Sequence, residues 1–180
     1  MIVTLESYED EMAVIVGTRR HYANVGKGNR ISYDTKRLQS NNWLASVDAC
    51  RAEVGVAKAY GGFWNGSIWH RTDHHLHASE PDVLVGSIGL EVKRKRTAKA
   101  MPIDRKDAEA NRLVVWAKVA EIDAEYEHPR IWIIGQVWAK EAWDETAEPY
   151  FGDPNRRAIP QEQLDKPALL NVTTPHPDFP

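Results

Sequence analysis

One cysteine, Cys50, in 180 residues leaves no disulfide framework and no cysteine-based zinc site. Charge of one sign is also missing: 23 Lys and Arg against 26 Asp and Glu give a formal net charge of −3. That balance carries no global footprint for nucleic acid, so any polyanion site has to be a local patch. No apolar run approaches the length needed to span a membrane. The N-terminal stretch "MIVTLESYEDEMAVIVG" is acidic where a signal peptide is basic, and its apolar run is short. There is no internal repeat. These absences point to a cytosolic protein of bacterial or viral type that does not engage a membrane. The hydrophobic content of 42% is enough for one domain with a sizeable core.

Periodicity and turn chemistry sketch the elements. Residues 5–16 predict a helix capped by Thr4, with Leu5, Met12, Ile15 and Val16 facing inward. "HYANVGKGNRISYD" reads as a Gly/Asn-rich basic loop. A second helix is predicted over 43–60, stopped by Gly61-Gly62. "WNGSIWHRTDHHLHASEP" is irregular and polar. Strands are predicted at 82–86 and 88–95, and Pro102 opens a short polar turn or helix. "RLVVWAKVAEI" and "RIWIIGQVWA" read as two further strands, rich in β-branched residues and Trp. A short helix near Lys140 to Asp144 precedes a Pro-rich coil. The order of elements predicts an α/β or α+β domain around one mixed sheet.

The stretch "EPDVLVGSIGLEVKRKRTAK", residues 80–99, holds the densest chemistry. Gly86-Ser87 suits a two-residue type II′ turn, which needs positive φ at its first position. That register sets Val85 against Ile88 and Asp82 against Glu91. Alternation then places Val83, Val85, Ile88, Leu90 and Val92 on one face, and Asp82, Glu91 and Lys93 on the other. Two carboxylates facing each other repel. A sheet accepts them when both meet water or when a divalent cation lies between them. Carboxylate oxygens plus retained waters are what Mg²⁺ prefers, and Mn²⁺ shares that preference for oxygen. Lys93 would lie beside such a metal, able to orient or deprotonate a water and to steady charge on a phosphate. The plainer alternative is a hairpin with a solvated charged face.

A third acid lies on the second helix. Helical spacing stacks Ala49, Cys50, Glu53, Val56, Ala57 and Tyr60 on one stripe, so Glu53 sits among small and apolar neighbours. It is either a helix-edge residue paired with Lys58 or Arg51, or an extra carboxylate leaning toward the Asp82/Glu91 metal.

"AEVGVAKAYGG", then "PDVLV", then "LEVKRK" resembles the PD-(D/E)XK nuclease superfamily, in particular its small phage and mobile-element members and the Holliday-junction resolvases. "IWIIGQVWAKEAW" is similar to the strand-to-helix segment that follows the active site in phage-type members. The resemblance implies a single restriction-endonuclease-like α/β domain over 1–180, a central mixed β-sheet flanked by helices. Its core would be about 43–145, with an N-terminal helix and loop at 1–42 and a C-terminal tail at 146–180. It implies a Mg²⁺- or Mn²⁺-dependent deoxyribonuclease in which Glu53, Asp82 and Glu91 hold the metal and Lys93 completes the catalytic set. The segments that would choose the substrate, the His-rich insert and the N-terminal third, have no counterpart in the motif.

Basic residues supply the expected DNA contacts. Arg94, Lys95, Arg96 and Lys99 flank the proposed site, with Arg105 and Lys106 following. Arg19 and Arg20, with Lys27 and Arg30, form a second basic group. Either run could instead be a solvated face. "GKGNR" lacks P-loop spacing, which excludes nucleotide binding there. Trp116, Trp132 and Trp138 sit at strand spacing and read as core, whereas Trp64 and Trp69 could stack on a base or pack under a loop. His70, Asp73, His74, His75 and His77 match no defined zinc motif. Two alternatives to a nuclease follow: a nuclease-fold protein that binds DNA or partners without cutting, and a His-ligated metalloprotein of unrelated chemistry. A homodimer is expected by analogy with resolvases, which cut two strands.

Overall fold

In the computed structural model, which describes residues 1–25, 42–68, 80–95, 99–120, 128–145, 149–150 and 152–168, two long helices cover one face of a mixed sheet. The helices are α1 (Ser7–Val25) and α2 (Asn42–Tyr60). The sheet contains β1 (Ile2–Thr4), β2 (Phe63–Trp64), β3 (Val83–Val85), β4 (Ile88–Arg94), β6 (Leu113–Val119) and β7 (Arg130–Trp138), in the order β1-β7-β6-β4-β3-β2. Strands β4 and β6 are parallel, and every other neighbour pair is antiparallel. The crossover between β4 and β6 passes through β5 (Ala100–Asp104) and α3 (Arg105–Glu109). A second sheet, in the order β5-β9-β8, joins that crossover to β8 (Pro149–Tyr150) and β9 (Asp153–Pro160). Helix α4 (Ala139–Glu145) follows β7 directly. The domain is therefore α/β, with its mixed sheet flanked by helices. Among the described residues no helix is long and apolar enough to cross a membrane.

Strand β6 explains how the layers stack. Leu113, Val115 and Ala117 point into a core shared with α1 and α2. Val114 and Trp116 point into a second core with Met101, Ile103, Ala108, Ala139, Ala142 and Ile159. A central strand buried on both faces reads as an unbroken apolar run rather than an alternating one, which is why "LVVWA" carries no polar position.

Local chemistry fixes the helix ends. The Glu9 carboxylate accepts from the Glu6 N–H at 2.7 Å, a capping contact that starts α1 at Ser7. Thr4 is in β1, paired with Arg130, so it is not the cap. At the far end of α2, Gly61 has φ of 64°, and the Gly62 N–H reaches back to the Ala57 carbonyl at 2.8 Å. This is the left-handed close that the Gly pair predicts.

Several sequence expectations need correction. Met12 and Ile15 are exposed rather than inward, while Ala13 is fully buried and Val16 packs on the core. The reason is close approach: a Cβ on Gly17 would lie 2.6 Å from the Val47 Cα, so only small residues fit at the α1–α2 contact. Residues 21–25, read as loop, continue α1. Pro102 lies inside β5, and the tail read as coil supplies β8 and β9, so the described residues form two sheets rather than one. Trp116 is core and Trp138 packs against the first core, but Trp132 is exposed on the outer part of β7.

Candidate active site

The hairpin register is as the sequence predicts. Val83 pairs with Leu90 and Val85 with Ile88, and Gly86 takes a φ of 59° at the turn. Val83, Val85 and Leu90 enter the helix-side core. The ladder stops at Val83↔Leu90, one step short of the Asp82–Glu91 position. There the Asp82 carboxylate accepts the Val92 N–H at 2.8 Å, using a donor that continued pairing would give to the opposite backbone. Asn65 holds the approach to Asp82: its N–H donates to the Asp82 carbonyl at 3.0 Å and its amide to the Pro81 carbonyl at 3.2 Å.

Glu53 comes from α2, on the helix-covered side of the sheet. Neither Lys58 nor Arg51 is its partner: Lys58 bonds Glu6 and Glu9, and Arg51 bonds Asp10 and Asp48. Arg20 instead grips both Glu53 oxygens, at 2.7 and 2.9 Å, and the Trp64 indole N–H adds a third bond at 2.8 Å. Trp64 is thus packed and bonded inside the domain.

Glu91 and Lys93 emerge on the other side, over β5 and α3. The Lys93 ammonium lies 3.1 Å from Glu91, 2.9 Å from Asp104 and 3.1 Å from Asp107. Arg112 closes the ring, 3.0 Å from the second Glu91 oxygen and 3.3 Å from Asp107. Asp107 is fully buried; its Oδ2 lies 3.1 Å from the Lys93 ammonium and, among the described residues, makes no hydrogen bond. At the rim, Arg156 donates through Nε to Asp104 at 2.8 Å.

The electrostatics follow from this packing. Burial, then the charges of Glu53 and Glu91, push the Asp82 carboxyl well above the usual range; the Val92 N–H and Arg20 offset this only in part. Burial alone would lower Lys93, but Glu91, Asp107 and Asp104 outweigh it and hold the ammonium above its ordinary value. Burial likewise raises Asp107, followed by Glu91, with Lys93 opposing. Asp104 is pulled below its ordinary value, because Lys93 and Arg156 overcome its burial.

The expected site residues are therefore partly assembled. Asp82 feels both Glu53 and Glu91, and Lys93 touches Glu91, but each of the three acids has separate protein partners. Among the described residues no three His, Cys, Asp or Glu side chains group as they would around an ion. The donor set still suits a hard divalent cation: Glu53 and Glu91 lie close enough to disfavour the charge on Asp82, an effect such a cation would relieve.

Of the expected DNA contacts, Arg20 is bound to Glu53, and Arg94 is bound to Asp48 at 2.9 Å. Lys95 bonds Gln161 and lies over the Trp116 ring. Arg19 and Lys99 are exposed. Arg96, Lys27, Arg30, Trp69 and the His70–His77 cluster lie outside the described residues. Asp104, Asp107, Arg112 and Arg156 escaped the sequence reading. A signal existed, because a lysine on a core strand facing a second layer requires carboxylate partners, and "IDRKDAEANR" offers Asp104 and Asp107, three residues apart, with Glu109 beyond them. Comparison with protein-family models, curated proteins and solved structures found no match.

Proposed function

We propose that the protein is a metal-dependent DNA nuclease of the PD-(D/E)XK type, with Asp82, Glu91 and Glu53 as its acidic set and Lys93 as its catalytic cation. The observation that carries this reading is the electrostatic meeting of Asp82 with Glu53 from one side of the sheet and Glu91 from the other, at the point where the β3–β4 ladder opens. Asp82 and Glu91, with Glu53, would hold Mg²⁺ or Mn²⁺, which when bound supplies Lewis-acid polarisation of a phosphate and a water of lowered pKa.

Lys93 acts as a donor rather than a base. Held by three carboxylates with its pKa raised, it stays protonated at neutral pH and can orient a water or steady charge that grows on the phosphate. Arg20 fixes the Glu53 carboxylate, and Val92 fixes Asp82, so both acids are oriented before any substrate arrives. A junction-resolving or otherwise structure-specific preference, and a homodimer, are consistent extensions of this reading.

The test is cleavage of supercoiled, linear and four-way-junction DNA with Mg²⁺, Mn²⁺, Ca²⁺ or EDTA. Cutting should need Mg²⁺ or Mn²⁺. Lys93→Ala should lower kcat on the order of a hundredfold or more while duplex binding is kept. Equal cutting by Lys93→Ala, with a dead His74→Ala/His75→Ala variant, would transfer the chemistry to a His-ligated metal. A second reading, a nuclease-fold protein that binds without cutting, is favoured by one feature: Glu91 is already neutralised by Lys93 and Arg112. It predicts DNA binding with no cleavage in any metal.

A further inference from the structure

The ion-pair ring around Lys93 does not end inside the protein. Asp104 uses one oxygen for the Lys93 ammonium, at 2.9 Å, and the other for Arg156 Nε, at 2.8 Å. Lys93 is largely buried and Arg156 is 53% exposed, so one carboxylate ties a buried cation to a surface one. The tie is built into the second sheet, where Asp104 of β5 stands directly opposite Arg156 of β9. Arg156 spends only its Nε on Asp104 and Asp153; among the described residues its terminal amino groups make no hydrogen bond. The Nη edge of a guanidinium held through Nε is the edge that binds a phosphate in two-pronged fashion. Arg105, next to Asp104 in sequence and 58% exposed, lies 3.8 Å from the exposed Glu109, so Arg156, not Arg105, is the cation at issue.

From this geometry we infer that Arg156 contacts a phosphate flanking the scissile one, and that Asp104 is a positioning residue holding Lys93 and Arg156 in register along the DNA backbone. The inference rests on the nuclease reading of Lys93. It assigns the second sheet a role in gripping substrate, through a strand whose sequence reads as coil. An exposed arginine held at one end also loses less side-chain freedom when it meets a phosphate than a free one does.

The experiment uses the full chain and a short DNA duplex, with Ca²⁺ for binding and Mg²⁺ for turnover. Arg156→Gln should weaken binding, lower the slope of log K against log salt by about 1, and raise KM with kcat largely kept. Arg156→Lys should restore the slope but not the full affinity, since the two-pronged contact is lost. Asp104→Asn should lower kcat about 10- to 100-fold, as loss of an outer partner of a catalytic group does. Far-UV dichroism and the unfolding midpoint show whether Asp104→Asn is folded, and a loss that only tracks its folded fraction would reduce Asp104 to a structural role and overturn the inference. An unchanged salt slope in Arg156→Gln, or unchanged kcat in folded Asp104→Asn, overturns it while leaving the nuclease reading intact. A parent chain that binds no DNA, or that cuts no faster than Lys93→Ala, removes both.

Discussion

Glu53 and Glu91 are buried to similar depth, 6% and 9% exposed, and lie on opposite sides of the same sheet, yet the chain neutralises them in different ways. On the helix side one guanidinium, Arg20, covers both oxygens of one carboxylate, and an indole N–H completes the set. On the crossover side nothing is paired one to one. Lys93 and Arg112 are shared among Glu91, Asp104 and Asp107, two cations against three carboxylates, with Arg156 at the surface supplying the third positive charge. A one-to-one pair fixes a geometry. A shared ring can redistribute when charge arrives, because each member has an alternative partner. Under the proposed function, the shared half is the one that carries the catalytic lysine, Lys93.

The two halves should break differently. Arg112 is 4% exposed, and its loss removes one of the two cations that Glu91 and the fully buried Asp107 share in the ring. Removing one partner of a buried ion pair typically costs about 3–5 kcal/mol, so Arg112→Met should fall in that range by urea denaturation. Arg20→Met should cost less, about 1–3 kcal/mol, because Glu53 keeps the Trp64 bond and Arg20 is already more exposed. Equal losses would mean that the ring behaves as isolated pairs. A sharper form is the double variant Arg112→Met/Lys93→Met, whose coupling energy should clearly exceed that of Arg112→Met/Arg20→Met.

A third substitution tests what sets the helix-side pair. Gly17 sits one turn before Arg20 and meets the α2 backbone: a Cβ added there would lie 2.6 Å from Val47 Cα and 2.8 Å from Val47 N. Backbone cannot rotate away as a side chain can. Gly17→Ala should therefore push α1 off α2 and cost about 1–3 kcal/mol, despite the better helix propensity of Ala. If spacing of the helices is what seats Arg20 on Glu53, the same variant should weaken that pair while leaving the Lys93 ring unchanged. Chemical shifts of the Trp64 indole N–H and of Lys93 would separate the two effects.

Local signals were legible in the sequence, and long-range ones were not. Helix α2, its Gly61 stop, the Gly86 turn, strands β6 and β7 and helix α4 all depend on residues within a few positions of one another. β1 has three residues and exists only because β7 offers an edge more than a hundred positions away. β9, "DPNRRAIP", has two prolines and adjacent arginines, and becomes a strand because β5 pairs with it. The site divides along the same line. Asp82, Glu91 and Lys93 could be set on one hairpin by counting. Arg20 reads as a free basic residue until α1 is laid against α2. Asp104 and Arg156 are joined only by a sheet that local pattern does not announce.

The smallest expected effect also lies on the helix side. Cys50 is fully buried, with Arg20 Nη1 3.5 Å from its sulfur. Burial first, then the Glu53 charge, push the thiol up to about 12, and the Arg20 charge pulls it back only in part. At pH 8 the folded chain should therefore leave a thiol-reactive disulfide untouched, while the urea-unfolded chain reacts at the ordinary rate. Rapid labelling of the native protein would show that the α1–α2 contact opens far more often than its packing allows. The same shift fixes a sign for stability. An unfolded cysteine ionises near pH 8.5, so above that the unfolded state binds fewer protons than the folded one, and stability falls as pH rises toward about 12. Tyr60, also raised to about 12, and Lys93 join in only near pH 10, where their unfolded counterparts titrate. Between about pH 8.5 and 10 the slope among these groups belongs to Cys50, at most about 1.4 kcal/mol per pH unit. Cys50→Ala should flatten it there, and Arg20→Met, which removes a cation favouring the thiolate, should leave it at least as steep.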